Sequence, residues 1–179
     1  EILGIVGESG CGKSVTAQCI LRLNPEPPGF FEGGEILYKG QDVLKMSKKE
    51  IRKIRGREIG FVFQDPMTSL NPTMRVGAQI EEVFLGRTDV SKKEVKERAM
   101  DIMRLVGISD VEKRYKQYPH ELSGGMKQRV MIAIALVSRP SVIICDEPTT
   151  SLDVTIEAQI LDLLLELREK LGTSIIMIT

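Results

Sequence analysis

The residues with the clearest chemical potential form a glycine-rich segment near the start of the chain, from Gly7 to Ser14. The segment matches the pattern G-x-x-x-x-G-K-[ST], in which glycines let backbone N–H groups approach phosphate oxygens closely. The lysine of this pattern, Lys13, can reach terminal phosphates, and the Ser14 hydroxyl can ligate Mg²⁺. Apolar residues from Ile2 to Val6 predict a strand before the segment, and Val15 to Leu23 predict a helix after it. Because a phosphate loop needs this context, a chance glycine-rich turn is the weaker interpretation.

Two adjacent carboxylates, Asp146 and Glu147, follow the apolar segment from Val142 to Cys145. Four consecutive apolar residues at this place predict a parallel strand that is buried on both faces. At the end of such a strand, Asp146 can hold Mg²⁺ and Glu147 can polarise a water beside a terminal phosphate. Acidic residues also occur at strand ends without such a role. The functional interpretation of this pair therefore depends on the phosphate loop that precedes it in the chain.

A second glycine-rich element lies between these two segments and contains Ser123, Gly124 and Gly125. Ser123 can simply cap a helix predicted from Met126 to Val137. An exposed helix N-terminus with a hydroxyl and two glycines is also a site for an anion. The two interpretations are compatible, because the same N–H groups serve both.

The elements around these motifs alternate between strand and helix, which predicts an α/β core with parallel strands. Residues 32–63 have hairpin character, with strand at 35–39, a turn near Gly40 and more strand at 59–63. Residues 66–138 are mostly helical. The basic stretch at 45–57 is interpreted as a solvated helix face, with a surface near anionic lipid as the alternative.

The amino-acid composition limits the classes to which the protein can belong. Lys plus Arg equals Asp plus Glu at 25 each, so no global basic field favours nucleic acid. No apolar run approaches the length of a membrane span. The three cysteines, Cys11, Cys19 and Cys145, form no metal-ligand pattern and indicate a reduced, cytosolic protein. Apolar strands at both ends predict that the chain is the truncated core of a longer protein.

The motifs and their order resemble the nucleotide-binding domain of ABC transporters over essentially the whole chain. The resemblance implies an α/β P-loop NTPase with a RecA-like parallel-sheet core, an antiparallel β insertion and the ABC helical subdomain, truncated at both ends. Residues 1–179 would then form one domain, with the helical subdomain at 66–138. The segments 33–36, 63–72 and 118–125 are similar to the ATPases of oligopeptide and dipeptide importers, a subfamily that also contains nickel importers.

The same resemblance implies ATP and Mg²⁺ as ligands. Catalysis is expected of Glu147 and Gln64, and Mg²⁺ ligation of Ser14, Gln64 and Asp146. Nucleotide contacts are expected from Gly7, Ser9, Gly10, Cys11, Gly12, Lys13, Ser14, Val15, Ser123, Gly124, Gly125 and Asp153. The glycines near Ser123 form the family's signature motif, and Ser151 to Asp153 resemble its D-loop; both would contact ATP held by a partner subunit. Asp153 can in addition cap the helix that follows.

The resemblance further implies a second ABC ATPase subunit in a homo- or heterodimer, two transmembrane permeases, an extracytoplasmic substrate-binding protein and a place at the cytoplasmic face of the membrane. No nucleic acid partner is expected. The alternatives are an importer of nickel or another small solute and, more remotely, a non-transport ABC ATPase. Long heptad coils and zinc-ligand spacing, typical of the DNA-repair and chromosome types, are absent from the sequence. A P-loop kinase or GTPase is disfavoured by the signature motif.

Three features of the family are missing from the sequence: an adenine-stacking aromatic residue upstream of Gly7, the switch histidine after the last strand, and a C-terminal extension. His120, the only histidine, precedes the signature motif and is not that switch. We therefore expect this chain, as given, to hydrolyse ATP poorly or not at all.

Overall fold

A four-stranded parallel sheet forms the centre of the computed structural model, which describes residues 1–86, 89–150 and 152–179. Ser151, the first residue of the predicted D-loop, lies outside the described residues. The sheet has the strand order β1-β6-β5-β4. Its strands are β1 (Ile2–Ile5), β4 (Ile59–Val62), β5 (Val142–Asp146) and β6 (Ser174–Ile178). The predicted α/β class with parallel strands is confirmed.

A second, two-stranded sheet is antiparallel and pairs β2 (Leu37–Tyr38) with β3 (Gln41–Asp42). Gly40 turns the chain between them with φ of +77°, which glycine adopts without a steric cost. The antiparallel insertion is thus confirmed, but its predicted second half is wrong. Residues 59–63 do not continue the hairpin, because β4 pairs in parallel with β5 and is buried between the sheet's two helical layers.

Eight α-helices fall within the described ranges. They are α1 (Lys13–Ile20), α2 (Lys48–Ile54), α3 (Pro66–Ser69), α4 (Val76–Glu82), α5 (Lys92–Leu105), α6 (Val111–Arg114), α7 (Gly124–Leu136) and α8 (Val154–Leu171). Five of them, α2, α3, α5, α7 and α8, begin with a side-chain cap. At the start of α5, for example, the Ser91 side chain accepts a hydrogen bond from the Glu94 N–H. Gly172 ends α8 in the left-handed conformation.

Two apolar clusters cover the two faces of the parallel sheet. On one face, Ile144 and Ile178 pack with Ala17 of α1 and with the α2 segment. On the other face, Ile143 and Cys145 pack with α7, α8 and the helices between β4 and β5. Because both faces are covered, the central strands are continuous apolar runs rather than alternating ones.

The helices between residues 66 and 136 pack largely on one another, with α7 in contact with α3, α4 and α5. Gly77 of α4 lies directly against the Tyr115 ring, where a side chain would overlap the ring. The boundary of a helical subdomain at 66–138 stays a prediction. Among the helices that the structure describes, none combines the length and the apolarity needed to cross a lipid bilayer.

Candidate active site

The carboxyl ends of β1, β4 and β5 meet at one edge of the sheet and bring three distant segments together. Strand β1 leads into the loop 7–12, β4 leads to Gln64, and β5 ends in Asp146 followed by Glu147. In open parallel sheets this edge is the usual place for a ligand. The sequence predicts a functional role for all three segments. The pairing of the parallel strands places them close together.

The loop before α1 curls around the side chain of Lys13. Its ammonium donates hydrogen bonds to the carbonyl oxygens of Gly7 at 2.6 Å and Glu8 at 3.0 Å. Gly12 has φ of +96° and serves as the residue before the helix, so α1 begins at Lys13. The sequence predicted Val15 as the start because apolar residues begin there. Ser9, Cys11 and Val15 are exposed around this loop.

Ser14 and Asp146 are joined across the sheet edge. The Ser14 hydroxyl donates to Asp146 Oδ1 at 2.8 Å, and the Asp146 side chain is almost completely buried. Burial raises the pKa of the Asp146 carboxyl, and the neighbouring Glu147 charge raises it further. The Ser14 hydrogen bond and the positive charge of Lys13 act in the opposite direction. A cation placed beside these oxygens would likewise favour the ionised carboxylate.

Glu147 is held by contacts to both of its carboxylate oxygens. Gln64 Nε2 donates to Glu147 Oε2 at 2.7 Å, and the Thr150 hydroxyl donates to the same oxygen at 3.0 Å. The other oxygen, Oε1, lies 3.9 Å from the Lys13 ammonium. The Glu147 backbone has φ of +43°, a region that few residues other than glycine adopt. Strain of this kind persists where the surroundings fix the residue, as three side chains do here.

Sequence reasoning missed Thr150 as a member of this cluster. Its hydroxyl lies three residues after Glu147, in the turn where the Thr150 N–H donates to the Glu147 carbonyl at 3.3 Å. A threonine so close to a candidate catalytic carboxylate could have been noticed. The pattern Asp-Glu alone, however, does not indicate which side chain will hold the glutamate.

The donor set at this edge suits a magnesium ion. Ser14 Oγ and Asp146 Oδ1 are hard oxygen ligands that already lie in contact. Within the described residues there is no cluster of three or more His, Cys, Asp or Glu side chains that could hold a metal without help. Proteins commonly hold Mg²⁺ through one or two side chains together with substrate phosphates and water.

The remaining predicted residues lie in a separate cleft of about 340 Å³. Its lining includes Ser123, Gly124, Gly125 and Asp153. Ser123 accepts from the Met126 N–H at 3.4 Å, and Asp153 accepts from the Ile156 N–H at 3.0 Å, so both cap helices as predicted. None of these four residues hydrogen-bonds a member of the Lys13–Glu147 cluster among the described residues. One chain therefore carries two separate candidate half-sites.

A protein-family model described as "ABC transporter" matches residues 1–150 of the chain. The oligopeptide transport ATP-binding protein OppD of Bacillus subtilis (strain 168) is 59% identical over 179 residues, an alignment that covers 100% of this chain and 50% of that protein. The dipeptide transport ATP-binding protein DppD of the same organism is 51% identical over 179 residues, with 100% of this chain and 53% of that protein covered. The chain thus spans about half the length of the curated relatives that it matches.

Among solved structures, the fold is similar to the dimeric structure of a post-hydrolysis state of the ATP-binding cassette MJ0796 bound to ADP and Pi. The TM-score is 0.84 at 31% sequence identity, and the match covers 100% of this chain and 74% of that chain. The predicted fold class, a P-loop ATPase core of the cassette type, is confirmed by this likeness together with the sheet and its insertion.

Proposed function

This chain belongs to the ABC transporter family, and we propose that it is the ATP-hydrolysing part of an importer that carries oligopeptides or dipeptides across the cytoplasmic membrane. The observation that carries the proposal is the contact cluster at the sheet edge, where Lys13, Gln64 and Thr150 hold Glu147 while Ser14 meets Asp146. The peptide cargo is supported by relatives that are named oligopeptide and dipeptide transport proteins.

Each member of the cluster has a distinct role in this proposal. The glycine-rich loop and the N-terminus of α1 bind the phosphates of ATP, and Lys13 exchanges its carbonyl partners for phosphate oxygens. Ser14, Asp146 and Gln64 would hold Mg²⁺, which when bound neutralises charge on the phosphates. Glu147 orients the attacking water and accepts its proton, because its carboxylate is fixed at the rim of the phosphate site.

The second half-site acts on the partner subunit's nucleotide. Ser123, Gly124 and Gly125 present the N-terminus of α7 to a cleft, and such an end attracts an anion. Asp153 lines the same cleft at the start of α8. A dimer of two ATPase subunits, equal or different, would therefore complete two sites. Two permeases would hold this dimer at the cytoplasmic face of the membrane, and an external binding protein would deliver the cargo.

The proposal is tested on the complete transporter, purified with its permeases and reconstituted in vesicles. Import of a labelled oligopeptide should require ATP, and Lys13→Ala should weaken ATP binding and abolish import. Lys93→Ala is the matched control, because that lysine is exposed and forms a surface ion pair with Glu97. ATP-dependent uptake of Ni²⁺ with no peptide uptake would favour the nickel alternative. ATP turnover by the reconstituted complex without uptake of either solute would overturn the import function.

A further inference from the structure

A cationic cleft lies at the C-terminal end of α1, whereas Lys13 and Ser14 of the catalytic cluster lie at its N-terminal end. The segment after α1 and the helix α2 enclose a cleft of about 210 Å³. Four of the side chains that line it are cationic: Arg22, Lys48, Arg52 and Arg55. Glu26 is the only carboxylate in the lining, so the cleft carries a clear excess of positive charge.

Backbone carbonyl groups fix two of the guanidinium groups in place. Arg55 donates through Nε to the Leu21 carbonyl at 2.8 Å and through Nη2 to the Arg22 carbonyl at 2.5 Å. Arg22 donates through Nη1 to the Met46 carbonyl at 2.7 Å. These bonds leave other N–H groups of both arginines available. A guanidinium that is already held in position loses less side-chain entropy when it binds a ligand.

The positive charge of the cleft is only partly compensated. The closest ion pair joins Arg22 Nη2 to Glu26 at 3.5 Å. Within residues 1–86, 89–150 and 152–179, neither Lys48 nor Arg52 has an ion-pair partner. Burial lowers the pKa of Arg55, and the nearby charges of Arg22 and Arg52 lower it further. A multiply charged anion would compensate the repulsion between these like charges more fully than a singly charged one.

We propose that this cleft, formed by Arg22, Lys48, Arg52 and Arg55, binds a phosphate-bearing anion. Its volume of about 210 Å³ is below the ~300–1,000 Å³ of pockets that enclose a drug-sized ligand, so it suits a phosphate group and its immediate attachment. Arginine forks match phosphate oxygens bidentately, and lysine adds a point charge. The ligand is either a free phosphate compound or a phospholipid head group, which present the same chemistry.

The test is a titration of the protein with pyrophosphate, followed by the arginine Nε–Hε NMR signals of Arg22 and Arg55. Signals at these residues report the cleft and not the phosphate loop, so the result does not depend on ATP binding or hydrolysis. We expect both signals to shift and to saturate. The variant Lys48→Gln/Arg52→Gln should bind at least roughly tenfold more weakly, because two charge-assisted contacts are lost.

The matched control is Lys49→Gln/Lys53→Gln, which removes the same charge from the same helix outside the cleft lining. Its affinity should change less than about twofold, the size expected of a screened surface charge. Equal weakening in both variants, or unchanged affinity in the first, would overturn the site. If the double variant does not fold, the single variants Arg52→Gln and Lys53→Gln make the same comparison.

A second arm separates the two sources of the anion. The protein is mixed with vesicles of phosphatidylcholine with and without phosphatidic acid, and co-sedimentation is measured. Binding only to vesicles with phosphatidic acid, weakened by Lys48→Gln/Arg52→Gln and not by the control, identifies a lipid head group. A saturable response to pyrophosphate without vesicle binding identifies a free phosphate compound. No response to either probe contradicts the proposal.

Discussion

Gln64 Nε2 donates to Glu147 Oε2 across 2.7 Å, and this contact joins the ends of two adjacent parallel strands. Gln64 follows β4 and leads directly into α3, whose residues pack on α7. Helix α7 in turn is capped by Ser123 of the second half-site. A displacement of the α3 segment would therefore move both the carboxylate of Glu147 and the N-terminus of α7.

Replacing Glu147 separates ATP binding from ATP hydrolysis. Glu147→Gln keeps the size of the side chain and its contact with Thr150, but it removes the basic oxygen. We expect ATP binding to persist while turnover falls by about 100-fold or more, the usual contribution of a general base. Turnover and binding of a fluorescent ATP analogue are measured on the complete transporter. Glu166→Gln, on the exposed face of α8, serves as the control. Near-normal turnover of Glu147→Gln would show that another group activates the water.

The glycine at position 60 is required by the packing of β4 on α7. A Cβ atom on Gly60 would overlap the Ala135 carbonyl oxygen and approach Ile143 Cγ2 to 3.2 Å. Because backbone cannot rotate away as a side chain can, we expect Gly60→Ala to lower the free energy of unfolding by about 2–3 kcal/mol. Gly4→Ala in β1 is the control, since no atom lies within 4 Å of its Cβ position. Equal urea midpoints for both variants would contradict this packing.

Two of the cysteines should differ strongly in reactivity. Cys11 is exposed in the glycine-rich loop, whereas Cys145 is fully buried in β5, and burial raises the pKa of its thiol to about 12. N-ethylmaleimide should therefore modify Cys11 and spare Cys145 in the folded protein. The adduct lies where the phosphates would bind, so we expect loss of ATP binding. Cys11→Ser should bind ATP and resist the reagent. Retained affinity in fully modified protein would refute the steric effect.

Glu58 links the hairpin to the main sheet in a pH-dependent way. Hydrogen bonds from Lys39 and Tyr38 lower the pKa of its carboxyl from the ordinary 4.5. The ionised form is thus favoured in the folded state, and its stabilisation is present above pH 4.5 and is lost as the pH falls through the lowered pKa.

Because the Glu58 side chain is 42% exposed, we expect Glu58→Gln to reduce the free energy of unfolding by only about 0.5 kcal/mol at pH 7. The difference from the unsubstituted protein should shrink as the pH is lowered toward 3. Urea unfolding at several pH values measures both quantities. Glu97→Gln, in an exposed ion pair, should show no such difference at any pH. If the difference in the free energy of unfolding stayed constant over the whole pH range, the shape of the Glu58 side chain, and not its charge, would account for the stabilisation.

The sequence predicted those parts of the site that are local in the chain. Strand β5 lies where its apolar run indicates, and helix α8 follows Asp153, whose capping role the sequence predicts. The start of α1 was missed by two residues, since Gly12 in the left-handed conformation begins the helix inside the motif itself. The first residue of such a helix is determined by backbone dihedral angles and not by the spacing of apolar residues.

The sheet partner of residues 59–62 could not be predicted in the same way. A short apolar run fits both a hairpin and a buried parallel strand, and only pairing with β5 decides between them. The same limit applies to Thr150, whose contact with Glu147 depends on the positive φ of that glutamate. Long-range pairing and strained turns are properties of the assembled chain.

The pairing of β1 with β6 has a consequence for how the protein is made. Ile2 lies beside Ile175 in the sheet, so the strand that anchors the glycine-rich loop pairs with a segment that is distant in the sequence. On the ribosome, this strand pair cannot form until β6 has emerged from the exit tunnel. Contacts of such long sequence separation form late and slowly. The strand that leads into the glycine-rich loop is therefore fixed by this neighbour only after residues 174–178 have been synthesised.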